Sequence, residues 1–220
     1  MNQFLKFSGL TIAKNSDGPR APKNEPVHIY EDDQLEKFFA ACNPFQKVIF
    51  NTLLKGGFRE SEIVHACWSS LNLEKGYLRV EANPDYDFIP KTKTSRDVYL
   101  PPDVIEQLRT LKLTAKHKLI FPTKSGLPNY KLLRTCKRIA ARAGLNPEEF
   151  WLHKFRSHFA TVCLRKGMDI ETLRSQMGHS KNSKSIWSYL MALQGKERSE
   201  KVAEIWAPIP QAQAVAAGVN

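Results

Sequence analysis

The sequence predicts an α+β domain, mostly helical, with one small antiparallel β-sheet. Three observations lead there. Apolar residues recur at helical spacing through most of the chain. Period-two alternation is confined to two short segments, GYLRVEA and RDVYLP, which lie between Gly76 and Leu100. Glycine or proline punctuates the helical segments where a stop is expected.

The first residues carry Asn15, Gly18, Pro19, Pro22 and Pro26, so residues 1–27 read as an arm or linker. A compact domain is expected over residues 28–206, with a flexible tail at 207–220. EDDQLEKFFAAC opens with acids and then turns amphipathic, as a helix start should. NPFQKVIFNTLLKGG reads as a second helix ended by Gly56 and Gly57, and RESEIVHACW as a third. The two alternating segments follow, joined through NPDYD, which has turn chemistry. Helix returns after Pro101 and Pro102 with DVIEQLRTLK. FPTKSGLPN reads as a loop, and NYKLLRTCKRIAARAG as a basic amphipathic helix closed by Gly144. From His153 onwards, Phe155, Phe159, Val162 and Cys163 fall in one helical stripe expected to be buried. DIETLRSQMG is a further helix stopped at Gly178. SKSIWSYLMAL and GKERSEKVAEIW complete the helical set, the latter with an apolar patch at Val202, Ile205 and Trp206. That patch suits either a neighbouring subunit or the chain's own core.

Composition narrows the function. The chain has 220 residues, long enough to bury a substantial core, and a formal net charge of +11. Such a surplus favours a nucleic-acid partner over a basic surface that only aids solubility. No apolar run is long enough to span a bilayer, so no membrane association is expected. The first residues are too polar for a secretory signal, which points to the cytoplasm, at the nucleoid. Cys42, Cys67, Cys136 and Cys163 lie far apart and form no C-x-x-C pair, so neither a disulfide framework nor a zinc finger is expected.

Three polar groups stand out: GGFRESE, LHKFRSHFAT and MGHS followed by a tyrosine. Cleaving a phosphodiester without a metal requires stabilising the negative charge on the non-bridging oxygens. Two guanidiniums suit that task, because each offers paired planar donors and stays charged. An in-line nucleophile and a proton donor complete the set. Arg59, Arg156, His153, His179, Tyr189 and the lysines of IPKTKTSR supply these types. His153 and Arg156 are three apart on one helix and should point to the same side. Each residue alone has a plainer explanation. Arg59 could be a surface partner of Glu62, His179 a cap, Tyr189 a half-buried aromatic and the lysines an exposed hairpin edge. The combination in this order is what favours a site.

The order resembles that of the tyrosine recombinases, the phage-integrase family, whose signature runs Arg, Lys, His-x-x-Arg, His, Tyr. GGFRESEI is similar to the family's TGLRxSEL box, LHKFRSHFAT to HxLRHxFAT, and MGHSKNSKSIWSYL to LGHxxxxxTxxYxH. The resemblance implies the tyrosine-recombinase (DNA breaking-rejoining) fold and catalytic roles for Arg59, Lys91, His153, Arg156, His179 and Tyr189, with Glu62 as a structural acid. Lys91 is preferred over Lys93 because it stands five residues before Arg96 and the VYL strand. Tyr189 would attack a scissile phosphate and form a 3′-phosphotyrosyl link, with no metal, cofactor or ATP. The partner implied is double-stranded DNA, bound by a homo-tetramer on paired sites, with a monomer possible without DNA. His179 and Tyr189 are ten apart, one residue more than the family spacing. A non-catalytic DNA-binding protein on the same scaffold is the alternative, and a nicking-resealing topoisomerase the nearest chemical relative. A two-metal nuclease is disfavoured, since the sequence lacks clustered carboxylates.

Overall fold

Helix α1 (Asp32–Ala40) starts with Asp32 and Asp33 in its first turn, where the helix dipole favours acids. Helix α2 (Pro44–Gly56) has the stronger cap. The Asn43 side chain accepts from the Gln46 backbone N–H at 2.8 Å, and Pro44 occupies the first turn. It stops at Gly57, whose φ of 66° is left-handed. These helices belong to a computed structural model that describes residues 28–179 together with Ala203. The arm, the tail, Tyr189 and the Val202, Ile205 and Trp206 patch lie outside the described residues.

Helix α3 (Glu60–Val64) is only five residues long, against a longer expected helix over RESEIVHACW. It ends at His65, and Cys67 instead pairs with Leu119 in an isolated bridge. The reason is tertiary: the chain is drawn out to hydrogen-bond the 118–120 segment, with Trp68 N–H donating to the Lys118 carbonyl at 3.0 Å.

The sheet has three antiparallel strands in the order β1 (Leu71–Asn72), β2 (Tyr77–Val80), β3 (Arg96–Tyr99). Strands β2 and β3, in the two alternating segments, were expected; the two-residue β1 is too short to show a period. Leu78 pairs with Val98 and Val80 with Arg96, so these residues share one face. The β2–β3 connection is longer than a tight hairpin. It contains a 3-10 turn, Pro84–Tyr86, a bridge between Asn83 and Phe88, and a turn in which Lys93 N–H donates to the Pro90 carbonyl at 2.8 Å.

Helices α4 (Pro102–Lys112), α5 (Leu132–Arg142), α6 (Leu152–Arg165) and α7 (Ile170–Met177) follow. α6 departs from the expected stripe. Every residue from Phe155 to Thr161 is buried, so the helix is enclosed on all sides through its middle, while Val162 and Cys163 are only half-buried. Its Phe155 joins Phe38, Phe50, Phe150 and Tyr30 in an aromatic core, with Phe38 and Phe150 stacked at 5.1 Å. Burying one aromatic ring of this kind is worth about 1.5–3 kcal/mol. Lys154 is accommodated because its ammonium lies 4.3 Å over the Tyr30 ring and donates to the Glu149 carbonyl. Among the described residues no helix is long and apolar enough to cross a membrane.

Candidate active site

Three arginines meet where α2 and α7 end. Arg156 sits in the enclosed middle of α6 and is 1% exposed. Such a charge is tolerated only with close partners. One nitrogen donates to the Gly57 carbonyl at the end of α2, and the other to the Met177 carbonyl at the end of α7, at 2.6 Å. Arg59 caps α3 and donates from Nη2 to the Gly178 carbonyl at 3.1 Å. Arg96, on β3, donates from Nε to the Gln176 carbonyl at 3.1 Å. The carbonyls at a helix C-terminus lack partners within the helix and form the negative end of its dipole. The guanidiniums fill both needs.

Two glycines lie at these helix ends. Gly57 and Gly178 both adopt positive φ. A Cβ on Gly178 would lie 2.8 Å from the Arg96 guanidinium, and one on Gly57 would lie 2.4 Å from the Phe159 ring. The glycine of MGH therefore makes room for the Arg96 guanidinium at the end of α7, and the second glycine of GG makes room for the Phe159 ring at the end of α2.

One carboxylate serves two of the arginines. Glu62 is the third residue of α3, and its Oε2 accepts the Arg59 backbone N–H at 2.9 Å, an N-terminal capping bond. Oε1 accepts Arg59 Nη1 at 2.7 Å and Arg96 Nη1 at 3.0 Å; Oε2 also accepts Arg96 Nη2 at 2.8 Å. All four lone-pair positions are used. Burial works to raise the Glu62 carboxyl pKa, but the Arg96 fork and then Arg59 outweigh it and hold the carboxyl below its ordinary value. Three guanidiniums against this one carboxylate leave a surplus of two positive charges.

The histidines border this charge. His153 is exposed one turn before Arg156 on α6. Partial desolvation, then the charges of Arg156 and Arg59, lower its pKa. His179 follows Gly178, and its backbone N–H closes the α7 end by donating to the Arg174 carbonyl at 3.1 Å. Burial, followed by Arg156, Arg59, Arg96 and His153, pushes its pKa down to about 4. At neutral pH both rings are uncharged, able to donate one N–H and to accept one proton.

Of the residues singled out in the sequence, Arg59, His153, Arg156 and His179 thus come together. Lys91 and Lys93 do not. Both are exposed on the turn before β3, and neither hydrogen-bonds or ion-pairs with the cluster among the described residues. Tyr189 lies outside the described residues. Arg96 was missed as a site residue and served only as a spacing mark for Lys91. The signal for it was available: RDVYL alternates, so Arg96 shares a face with the fully buried Val98. An arginine in a core-facing strand position needs a buried partner. Gln176 was also missed. Its side chain donates to the Tyr99 carbonyl at 2.7 Å and accepts the Tyr99 N–H at 3.1 Å, docking α7 on the edge of β3. Among the described residues no group of three or more His, Cys, Asp or Glu is placed to hold a metal ion.

Comparison with known proteins bears on the family and the fold. A family model described as the phage integrase family matches residues 29–193. The chain is 27% identical over 186 residues to tyrosine recombinase XerA from Pyrococcus horikoshii, covering 82% of this chain and 62% of that protein. The chain therefore spans less than two thirds of that relative's length. A crystal structure of XerA recombinase superposes with a TM-score of 0.67 at 20% identity, covering 94% of this chain and 73% of the other. A XerH site-specific recombinase bound to palindromic difH substrate, in a post-cleavage complex, gives 0.64 at 22% identity, covering 85% and 55%. These likenesses show the fold to be that of tyrosine-recombinase catalytic domains: mostly helical, with a small antiparallel sheet.

Proposed function

The chain belongs to the phage integrase family, and from that premise we propose that it cleaves and rejoins double-stranded DNA through a 3′-phosphotyrosyl intermediate. The observation that carries this reading is the gathering of Arg59 and Arg156 with His153 and His179 at the ends of α2 and α7. Arg59 commits two side-chain N–H donors to Glu62 and Gly178, and its side chain is 22% exposed. The donors that remain of its five can meet a phosphate oxygen. Arg156 supplies a fixed positive charge beneath them. Charge placed in advance, in a partly desolvated site, stabilises the pentavalent transition state with little reorganisation.

In this reading the Tyr189 phenol attacks in line and its proton leaves to a base, for which neutral His179 or His153 is suited. The bond to the 5′-oxygen breaks, and that oxygen takes a proton from an acid. Lys91 or Lys93, on a loop with no hydrogen bond tying either side chain down among the described residues, supplies it once DNA draws the loop in. Attack by a 5′-hydroxyl on the phosphotyrosine reverses the chemistry, so bond energy is conserved. Residues 28–206 form the catalytic unit, and a homo-tetramer on paired DNA sites carries out the full exchange.

The test is covalent trapping. The full chain is incubated with a randomised pool of duplexes nicked near the middle, so that cleavage releases a short strand and cannot be reversed. A protein–DNA adduct resistant to denaturant is expected, and Tyr189→Phe should abolish it. An undiminished adduct in Tyr189→Phe would overturn the nucleophile. Salt-sensitive DNA binding with no adduct at all would favour the non-catalytic reading, which the +11 charge also suits.

A further inference from the structure

Glu62 poses a problem for any anion held by Arg59. It is buried, with a side chain only 1% exposed, and it bonds both the backbone and the guanidinium of Arg59. A carboxylate so close would cancel much of the charge a phosphate must meet. Arg96 removes the problem. Its fork takes both Glu62 oxygens, at 3.0 and 2.8 Å, in a pair far more enclosed than any surface ion pair: the Arg96 side chain is 10% exposed. Its third donor grips the Gln176 carbonyl, two residues before Gly178, whose own carbonyl holds Arg59. Gly178 lacks the Cβ that would displace this guanidinium. One side chain thus touches the acid that orients Arg59 and the helix end that presents His179.

We propose that Arg96 is a positioning and charge-balancing residue: it takes up the charge of Glu62, so that Glu62 orients Arg59 without neutralising it. Arg96 itself, behind Glu62, does not touch substrate. Without its charge, Glu62 turns wholly onto Arg59 and the anion site weakens. The proposal rests on the reading of this cluster as a phosphate site.

The probe is inorganic phosphate, titrated into the isotope-labelled full chain and followed by NMR at the Arg59 Nε–H and the His179 ring. Arg96→Gln keeps a donor but loses the charge; phosphate affinity should fall about tenfold, as expected when the charge-assisted contact made by Arg59 is weakened. The His179 midpoint should rise from about 4, because one of the charges holding it down is gone. Arg96→Lys should restore both readouts to within about twofold, since the proposal needs the charge more than the fork. A residue that merely braced the fold would be damaged by both substitutions alike. If Arg96→Gln fails to fold, the Glu62→Gln/Arg96→Gln double variant decides. It removes the competing acid and its balancing partner together and should bind phosphate like the wild type. Arg79→Met, which removes an exposed arginine from the other face of the sheet, should change nothing. The proposal is overturned if Arg96→Gln binds phosphate as tightly as wild type with an unmoved Arg59 resonance, if Arg96→Lys binds as weakly as Arg96→Gln, or if the double variant still binds weakly. Absence of phosphate binding in the wild type would instead sink the phosphoryl-transfer reading; the Arg59 and His179 resonances would still report whether Arg96 sets their charge state.

Discussion

Arg96 and Asp97 are neighbours on β3, and each forms a two-pronged arginine–carboxylate pair, on opposite faces of the strand. Arg96 meets Glu62 on the inner face, with side chains 10% and 1% exposed. Asp97 meets Arg79 on the outer face, at 2.7 and 3.1 Å, with Arg79 45% and Asp97 27% exposed. The bond lengths are nearly the same, though Arg96 binds end-on through Nη1 and Nη2 and Arg79 side-on through Nε and Nη2, and the surroundings differ. In the outer pair water solvates either charge when the pair opens, so its loss costs little. In the inner pair nothing replaces a lost partner, so removing one side strands a charge. Pairing geometry alone therefore says little about the role of an ion pair; burial and the third partner decide it.

The largest effect is expected from breaking the inner pair at its shared member. Glu62→Ala leaves Arg59 and Arg96 facing each other without their acid, and should lower unfolding free energy by about 3–5 kcal/mol. Urea denaturation at neutral pH measures this, and a loss no larger than that of a surface substitution would show the pair to be solvated after all. Acid should produce an intermediate effect on the wild type. The His179 pKa is about 4 in the fold against an ordinary 6.5, so between these values the unfolded chain binds the extra proton. Stability from this group is complete above pH 6.5 and drains away as pH falls towards 4. After allowance for solvent screening the loss is roughly 2 kcal/mol. His153, also lowered, acts in the same direction. Denaturation series at several pH values check this, and added phosphate should offset part of the loss by binding the folded site. The smallest effect belongs to the outer pair. Asp97→Ala should leave the urea midpoint unmoved within error, with any difference vanishing at high salt. A large loss there would erase the contrast between the two faces.

The helices that carry the site were legible because their caps and stops are local. Asn43 and Pro44 begin α2 and Gly57 ends it; Asp169 begins α7, its side chain accepting from Thr172 N–H at 2.9 Å, and Gly178 ends it. Arg59 and His179 could be picked out because each follows one of those helix-ending glycines, and His153 and Arg156 because they are three apart on one helix. α3 was overread because RESEIVHACW has helical composition, while its second half is recruited by the distant 118–120 segment. The apolar stripe on α6 was too narrow a reading: a helix enclosed on all sides buries Arg156, Ser157, His158 and Thr161 along with its phenylalanines. Hydrophobic periodicity does not register a polar residue buried among apolar ones, such as Arg156, which is held by the Gly57 and Met177 carbonyls.

By itself the sequence determined the order of helices and strands, the basic charge, and the residue types at the ends of α2 and α7. These follow from short-range rules: capping, glycine at positive φ, alternation in strands. Only the tertiary structure decided which arginine does what. Arg59, Arg96 and Arg156 are the same residue type, and nothing local separates them. What separates them is which carbonyl or carboxylate each meets across 119, 80 or 99 residues of chain, and how much water remains around it. Those long-range partners turn three equal charges into a partly exposed arginine held by an acid and a helix end, an enclosed partner of that same acid, and a buried charge fixed between two helix ends.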